Sequence, residues 1–197
     1  MGEVINSYRD GVGWDVVEER LFAQVLTSAK ELLGVRLPVV AVHGDFWMGN
    51  LLVDSSGLCG VIDWERGRAT GPATLDVYKF PTSYGLYLDR GYPGGVVPSH
   101  PGLQRWRERW GRLGGWQDLA GVGYGFFGEG WFPELVRGFV LQHLGVLGVP
   151  PEVNRVCFPL FVAEQALLPG HPRTRAAYRA LLHALAEEPT ATWLRPS

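Results

Sequence analysis

Lysine is almost missing from this chain, with only Lys30 and Lys79 against sixteen arginines in 197 residues. That skew is compositional and nothing is built on it. Cysteine is scarce too. Cys59 and Cys157 have neither metal-ligand spacing nor the density of a disulfide framework. Both lie in apolar sequence, so they are expected as buried free thiols in a reducing cytoplasm. An excess of one charge is lacking. The net charge of -2 at pH 7 gives no overall basic field for nucleic acid or an anionic membrane. There is no run of about 18 apolar residues, so no membrane span is expected. The opening residues Met1-Gly2-Glu3-Val4 lack the basic and apolar regions of a secretory signal. What remains is a chain of 46% hydrophobic residues with mean hydropathy +0.01. Residues 1–197 are read as one domain with a sizeable core. The 27 glycines and 14 prolines are many for a mostly helical domain.

The informative stretch is His43-Gly44-Asp45-Phe46-Trp47-Met48-Gly49-Asn50, followed by Val61-Ile62-Asp63-Trp64-Glu65. Leu37 to Val42 is a short apolar run that predicts a buried strand, so His43 to Asp45 leave a strand on a loop. Leu51-Leu52-Val53 predicts a second strand. Asp54-Ser55-Ser56-Gly57 has turn composition, and Leu58 to Ile62 returns. A hairpin built this way sets Asn50, entering one strand, beside Asp63, leaving the other. Asp45 is tethered five residues before Asn50. Two carboxylates and one carboxamide therefore converge, an arrangement suited to phosphoryl transfer. Magnesium takes hard oxygen ligands, and the reaction needs a positioned hydroxyl and neutralised phosphate charge.

These residues resemble the catalytic loop of the aminoglycoside phosphotransferase/choline kinase family, in which a catalytic Asp is followed five residues later by a metal-binding Asn. Ile62-Asp63-Trp64-Glu65 is similar to that family's counterpart of the kinase Asp-Phe-Gly motif. Leu75-Asp76-Val77 resembles a further segment whose Asp braces the loop. The resemblance covers about residues 39 to 78. It implies an α+β, mainly α fold, the C-terminal lobe of a protein-kinase-like structure with a small β-hairpin at the active site. It implies Asp45 as catalytic base, Asn50 and Asp63 as magnesium ligands, Glu65 as a further ligand or a surface ion-pair partner, and His43 and Asp76 as supports. Transfer of the γ-phosphate of ATP to a hydroxyl of a small molecule follows, in the cytoplasm. The family's N-terminal lobe, with its Gly-rich strand pair and phosphate-binding Lys, has no counterpart here. Only 42 residues precede His43, Gly11-Val12-Gly13 is too little for a nucleotide loop, and Lys30 falls in a predicted helix. The expectation is a phosphotransferase domain incomplete without a separate or missing N-terminal lobe. The alternative is a non-catalytic kinase-like binding or regulatory module. A two-metal phosphoesterase is weaker, because its site needs several more His or Asp ligands.

Elsewhere the pattern is mostly helical. Met1 to Gly13 has no clear period and predicts a loose lead-in. Asp15, with Glu18 three residues on, signals a capping box. Behind it Val17, Leu21, Val25 and Leu32 mark one helix side, and Phe22, Leu26 and Leu33 widen it. Arg66 to Ala73 predicts a polar connector, and a helical patch runs from Asp76 to Phe80, ahead of Pro81. Residues 83–102 predict an irregular loop. Trp106, Trp110 and Leu113 fall at helical spacing, as a packed stripe rather than a nucleic-acid or membrane face. Further helices are expected over 133–147, 151–168 and 174–187. Glu129, Trp131 and Glu134, with nearby Tyr124, Phe126 and Phe127, are candidates for an aromatic and acidic pocket taking a cationic substrate. Ordinary core and surface is the competing reading.

Overall fold

The computed structural model describes residues 1–88, 100–168 and 170–188. Eight helices carry the described chain: α1 (Gly2–Val12), α2 (Val16–Glu31), α3 (Thr74–Tyr87), α4 (Gly102–Arg112), α5 (Gly121–Phe127), α6 (Trp131–Val146), α7 (Asn154–Leu167) and α8 (Pro172–Glu187). Four short strands, β1 (Val39–Val42), β2 (Leu51–Asp54), β3 (Gly57–Val61) and β4 (Arg68–Pro72), form two separate antiparallel pairs. The fold is thus α+β and mainly α. The core is an aromatic-rich helical cluster around Tyr8, Phe22, Tyr78, Trp110, Phe126, Phe158 and Leu181. No single described helix is long and apolar enough to cross a membrane.

The lead-in at the N-terminus is a helix, not a loose segment. α1 has only two fully buried residues, Ile5 and Tyr8. Two apolar positions separated by one turn are too few for a recognisable period, yet they seat α1 on α7. The predicted cap at Asp15 forms. Its carboxylate accepts from Val17 N at 2.9 Å and Glu18 N at 3.1 Å, while Glu18 accepts from Asp15 N at 3.0 Å. Of the predicted apolar face, Leu21, Phe22 and Val25 are buried, whereas Leu26 and Leu33 are exposed.

The β regions depart most from expectation. The β1 strand is exposed over much of its length, with only Val42 fully buried. Its partner is the predicted connector: Val40 pairs with Gly71 and Val42 with Arg68. The β2–β3 hairpin has the expected turn, Asp54 accepting from Ser56 N at 2.7 Å, and pairs Leu51 with Val61. The hairpin stands off the helical body, so Cys59 is exposed rather than buried. Cys157, on α7, is partly buried, and both thiols are free.

α3 runs through Pro81 where the sequence suggests a stop. The proline withholds one helical hydrogen bond, but Tyr78, Pro81, Thr82, Ser83 and Gly85 are all buried, and their packing continues the helix. Gly85 meets Gly121 of α5 at backbone contact: a Cβ on Gly121 would lie 2.4 Å from Gly85 O. Part of the predicted loop is therefore helix, and 89–99 lie outside the described residues. The Trp106, Trp110 and Leu113 stripe is buried in the core.

One polar junction fastens the helices. Glu18 is fully buried and accepts from Tyr8 Oη at 2.6 Å and from Arg179 Nε and Nη2 at 3.0 and 2.7 Å. It joins α1, α2 and α8. Burial opposes the Glu18 charge, but the Arg179 guanidinium, the Tyr8 hydroxyl and the Asp15 amide outweigh it and hold the carboxyl below its ordinary range. A Glu18→Ala variant is expected to lose about 3 kcal/mol in urea denaturation. That is the low end for a broken buried pair, since Arg179 keeps partial access to water. The depressed folded-state value makes the Glu18 contribution full above the ordinary 4.5, and it is lost as pH falls through the lower, folded value. Acid unfolding of the parent below about pH 4.5 is accordingly expected to be steeper than that of Glu18→Gln.

Candidate functional site

The loop after β1 is held by the first turn of α3. Asp76 Oδ2 accepts from His43 N at 2.7 Å, and Asp76 Oδ1 accepts from Gly44 N at 2.9 Å. One carboxylate thus satisfies two consecutive amides that the strand has ceased to pair. Gly44 has φ +77, and a Cβ there would sit 2.5 Å from Arg66 O. Only glycine lets the loop pass this close to the turn following Asp63.

His43 is buried and ties the loop to the end of β3. Its Nε2 bonds Ile62 O at 2.8 Å. A carbonyl can only accept, so the proton is on Nε2, which leaves Nδ1 to accept from Asp45 N at 3.3 Å. The ring packs on Trp64, centroids 4.6 Å apart. Every contact of His43 positions the backbone around Asp45 and Asp63.

Asp45 is partly exposed, and Lys79 Nζ lies 3.0 Å from its Oδ1. Lys79 is itself buried and donates to Gln165 Oε1 at 2.9 Å. Asn50 is buried, and its Nδ2 donates to Asp45 O at 3.0 Å; among the described residues no donor bonds its Oδ1. Asp63 follows at the end of the hairpin, where Ile62 N donates to Asn50 O at 3.0 Å. Asp63 is the only non-glycine residue with positive φ among those described, at 65°. A strained backbone at a carboxylate is a mark of functional positions. Asp63 and Glu65 are both exposed.

The structure thus brings His43, Asp45, Asn50 and Asp76 into one bonded unit, and Asp63 follows Ile62, whose amide bonds Asn50 O. Glu65 points to solvent, and no ion pair of it is present among the described residues. Asp45, Asp63 and Glu65 do not close into a ready three-carboxylate cage; the described residues contain one tight group of this kind, Asp15, Glu18 and His183, at the helix junction. The candidate aromatic and acidic pocket does not assemble. Tyr124 and Phe126 are in the core. Glu129 is exposed beside Arg105 at 3.6 Å. Trp131 lines an apolar groove with Phe80, Tyr84 and Phe139, and Glu134 lies outside that lining. Glu134 is exposed on α6, and Glu129 lies ahead of that helix.

Sequence reasoning missed Lys79. Its signal was faint: one of two lysines, three residues after the brace Asp76 and inside an apolar patch, where an unpaired cation is costly. Its partner Asp45 is distant in sequence, so only the fold reveals the pair.

Residues 6–121 match the model of the Phosphotransferase enzyme family, a span that includes every residue of this unit. No curated protein matches the chain, and no solved structure does.

Replacing Asp76 with Ala leaves the His43 and Gly44 amides without acceptors, at about 1–3 kcal/mol each. Hydrogen exchange should accelerate at those two amides first. Asp76→Asn, which keeps one oxygen acceptor, should fall between the parent and the Ala variant.

Proposed function

The chain belongs to the Phosphotransferase enzyme family, and from that premise we propose that it moves the γ-phosphoryl group of ATP to a hydroxyl of a small molecule. The observation that carries this reading is the bonded unit of Asp45, Asn50, His43 and Asp76, with strained Asp63 just past the end of β3. The donor set suits magnesium: an amide oxygen freed by the amide nitrogen's own bond, and an exposed carboxylate, both hard oxygens. Asn50 and Asp63 are the residues that would hold the ion, with Glu65 in reach of solvent as an additional carboxylate. Bound Mg-ATP supplies the phosphoryl group and the divalent charge that offsets the phosphate oxygens.

Asp45 does the acid–base work. Its carboxylate accepts a hydrogen bond from the acceptor hydroxyl, aligns its lone pair toward phosphorus and takes the proton as the new O–P bond forms and the bond to the departing ADP breaks. Lys79 fixes the Asp45 carboxylate and adds a positive charge beside the transferring group. His43 and Asp76 keep the loop in place. The helical body with its small strand pairs is then the C-terminal lobe of a kinase-like structure.

One observation favours a second reading, a non-catalytic kinase-like module. The residues ahead of β1 fold as α1 and α2, not as a Gly-rich strand pair, and Lys30 is exposed on α2.

Calorimetry of the chain with Mg-ATP, followed by turnover against a panel of hydroxyl compounds, separates the two. The proposed function expects Asp45→Asn to lower turnover about 10²–10⁴-fold with nucleotide binding retained, and Asp63→Ala to weaken binding of the magnesium complex. Absence of both binding and turnover selects the second reading.

A further inference from the structure

Beside Lys79, the partner of Asp45, is a cavity of about 140 Å³. Arg66, Lys79, Gln165, His171, Thr174, Arg175 and Tyr178 supply its polar lining. Among the described residues no carboxylate lines it. Lys79 already shares its charge with Asp45 at 3.0 Å. Arg66 and Arg175 are exposed and make no ion pair among the described residues. The first turn of α8 borders the cavity through His171, Thr174 and Arg175, so the positive end of a 16-residue helix adds to the field. His171 Nδ1 accepts from Arg173 N at 3.2 Å.

We propose that this cavity takes the anionic end of the acceptor, so that the substrate is a small hydroxyl compound carrying a phosphate or carboxylate. The inference rests on the phosphotransferase reading of Asp45. The charge pattern decides the class. A cationic amine or polyamine entering here meets three cations and a helix N-terminus, with the Asp45 carboxylate already held by Lys79. An anion finds two guanidinium groups with no ion pair among the described residues, the side chain best matched to a planar or tetrahedral oxyanion. Volume limits its size: at about 30 Å³ per water, the cavity holds about five waters, room for one charged group and a short carbon stem. The nucleotide phosphates are the other source of such an anion. Location favours the acceptor, because α3, α7, α8 and the α7–α8 connection build the cavity, with Arg66 as its one lining residue from the turn that follows Asp63.

The test is calorimetry on the 197-residue chain with glycerol 3-phosphate as probe, glycerol and choline as neutral and cationic controls, and Mg-ATP as a separate arm. The expected result is saturable binding of glycerol 3-phosphate that weakens with salt, with no binding of glycerol or choline. Arg175→Gln and Arg66→Gln, at exposed positions without ion pairs, should each weaken it about tenfold, as for loss of one charge-assisted hydrogen bond, and leave Mg-ATP affinity unchanged. Equal binding of glycerol or choline, or glycerol 3-phosphate binding unaffected by Arg175→Gln, overturns the proposal. So does loss of Mg-ATP affinity in Arg175→Gln in the same proportion, which assigns the cations to the nucleotide. The two readings fail separately. Arginine-dependent glycerol 3-phosphate binding without any ATP turnover removes the phosphotransferase reading and keeps the anion site. Phosphoryl transfer to choline by a chain that does not bind glycerol 3-phosphate does the reverse.

Discussion

The site depends on one carboxylate gripping two backbone amides. Asp76 takes the amides of His43 and Gly44 at the point where β1 gives up its pairing. Lys79, one turn later on α3, takes the Asp45 side chain. Phe80 then meets the Phe46 ring, centroids 5.6 Å apart. Positions 76, 79 and 80 share one helix face, so a single face of α3 fixes the loop by backbone, by charge and by apolar contact. This explains why α3 must be rigid, and why Pro81 is tolerated within it. The helix is set by Tyr78, which is bonded to Asn154 and packed on Phe158, and by the close crossing of Gly85 with Gly121. Removing one helical hydrogen bond matters less than the burial on both sides of it.

α8 has a comparable double role. Arg179 closes the Glu18 junction, and one residue earlier Tyr178 is buried behind the site, its hydroxyl pushed up by burial and by the Asp45 charge. Arg175, a turn before, faces the cavity. The junction that pins α8 to α2 therefore also sets the position of the cationic rim. A change at Glu18 is far from Asp45 in sequence, yet it acts on a helix that Asp45 feels directly.

Local signals were legible in the sequence, and pairings between distant segments were not. The capping box at Asp15 and Glu18 could be read because both partners lie within one turn. The β2–β3 hairpin could be read from its turn residues, and the bonded loop from the spacing of His43, Asp45 and Asn50. α1 escaped because two buried residues do not make a period. β4 escaped because Arg68-Ala69-Thr70-Gly71-Pro72 has no alternating apolar pattern; it is a strand only because β1 offers it a ladder. The exposure of Cys59 and of most of β1 follows from strands that pair with each other instead of packing on the helices. The aromatic and acidic segment near Trp131 is a candidate pocket in the sequence, but Tyr124 and Phe126 go to the core while Glu129 and Glu134 are exposed.

The strands also set how firmly the site is held. Val39, Leu52, Val53, Leu58 and Trp64 are all at least 47% exposed, so β1, β2 and β3 gain little from apolar burial, which is worth about 1.5–3 kcal/mol for each fully buried large side chain. Their order rests on hydrogen bonds, each with a net value of about 1 kcal/mol, and on the His43 and Asp76 contacts. The helical body is held by the aromatic cluster and by Glu18. Local opening should therefore begin at the hairpin that carries Asn50 and Asp63, while Asp45, bound to α3 through Lys79, stays with the body. The two halves of the site then differ in mobility: Asp45, the base in the proposed reaction, is fixed to the core, and Asp63, which would hold the ion in that proposal, follows a lightly anchored ribbon. That division suits phosphoryl transfer, because the hydroxyl must be aimed accurately, whereas the ion-binding side must open to exchange its ligand.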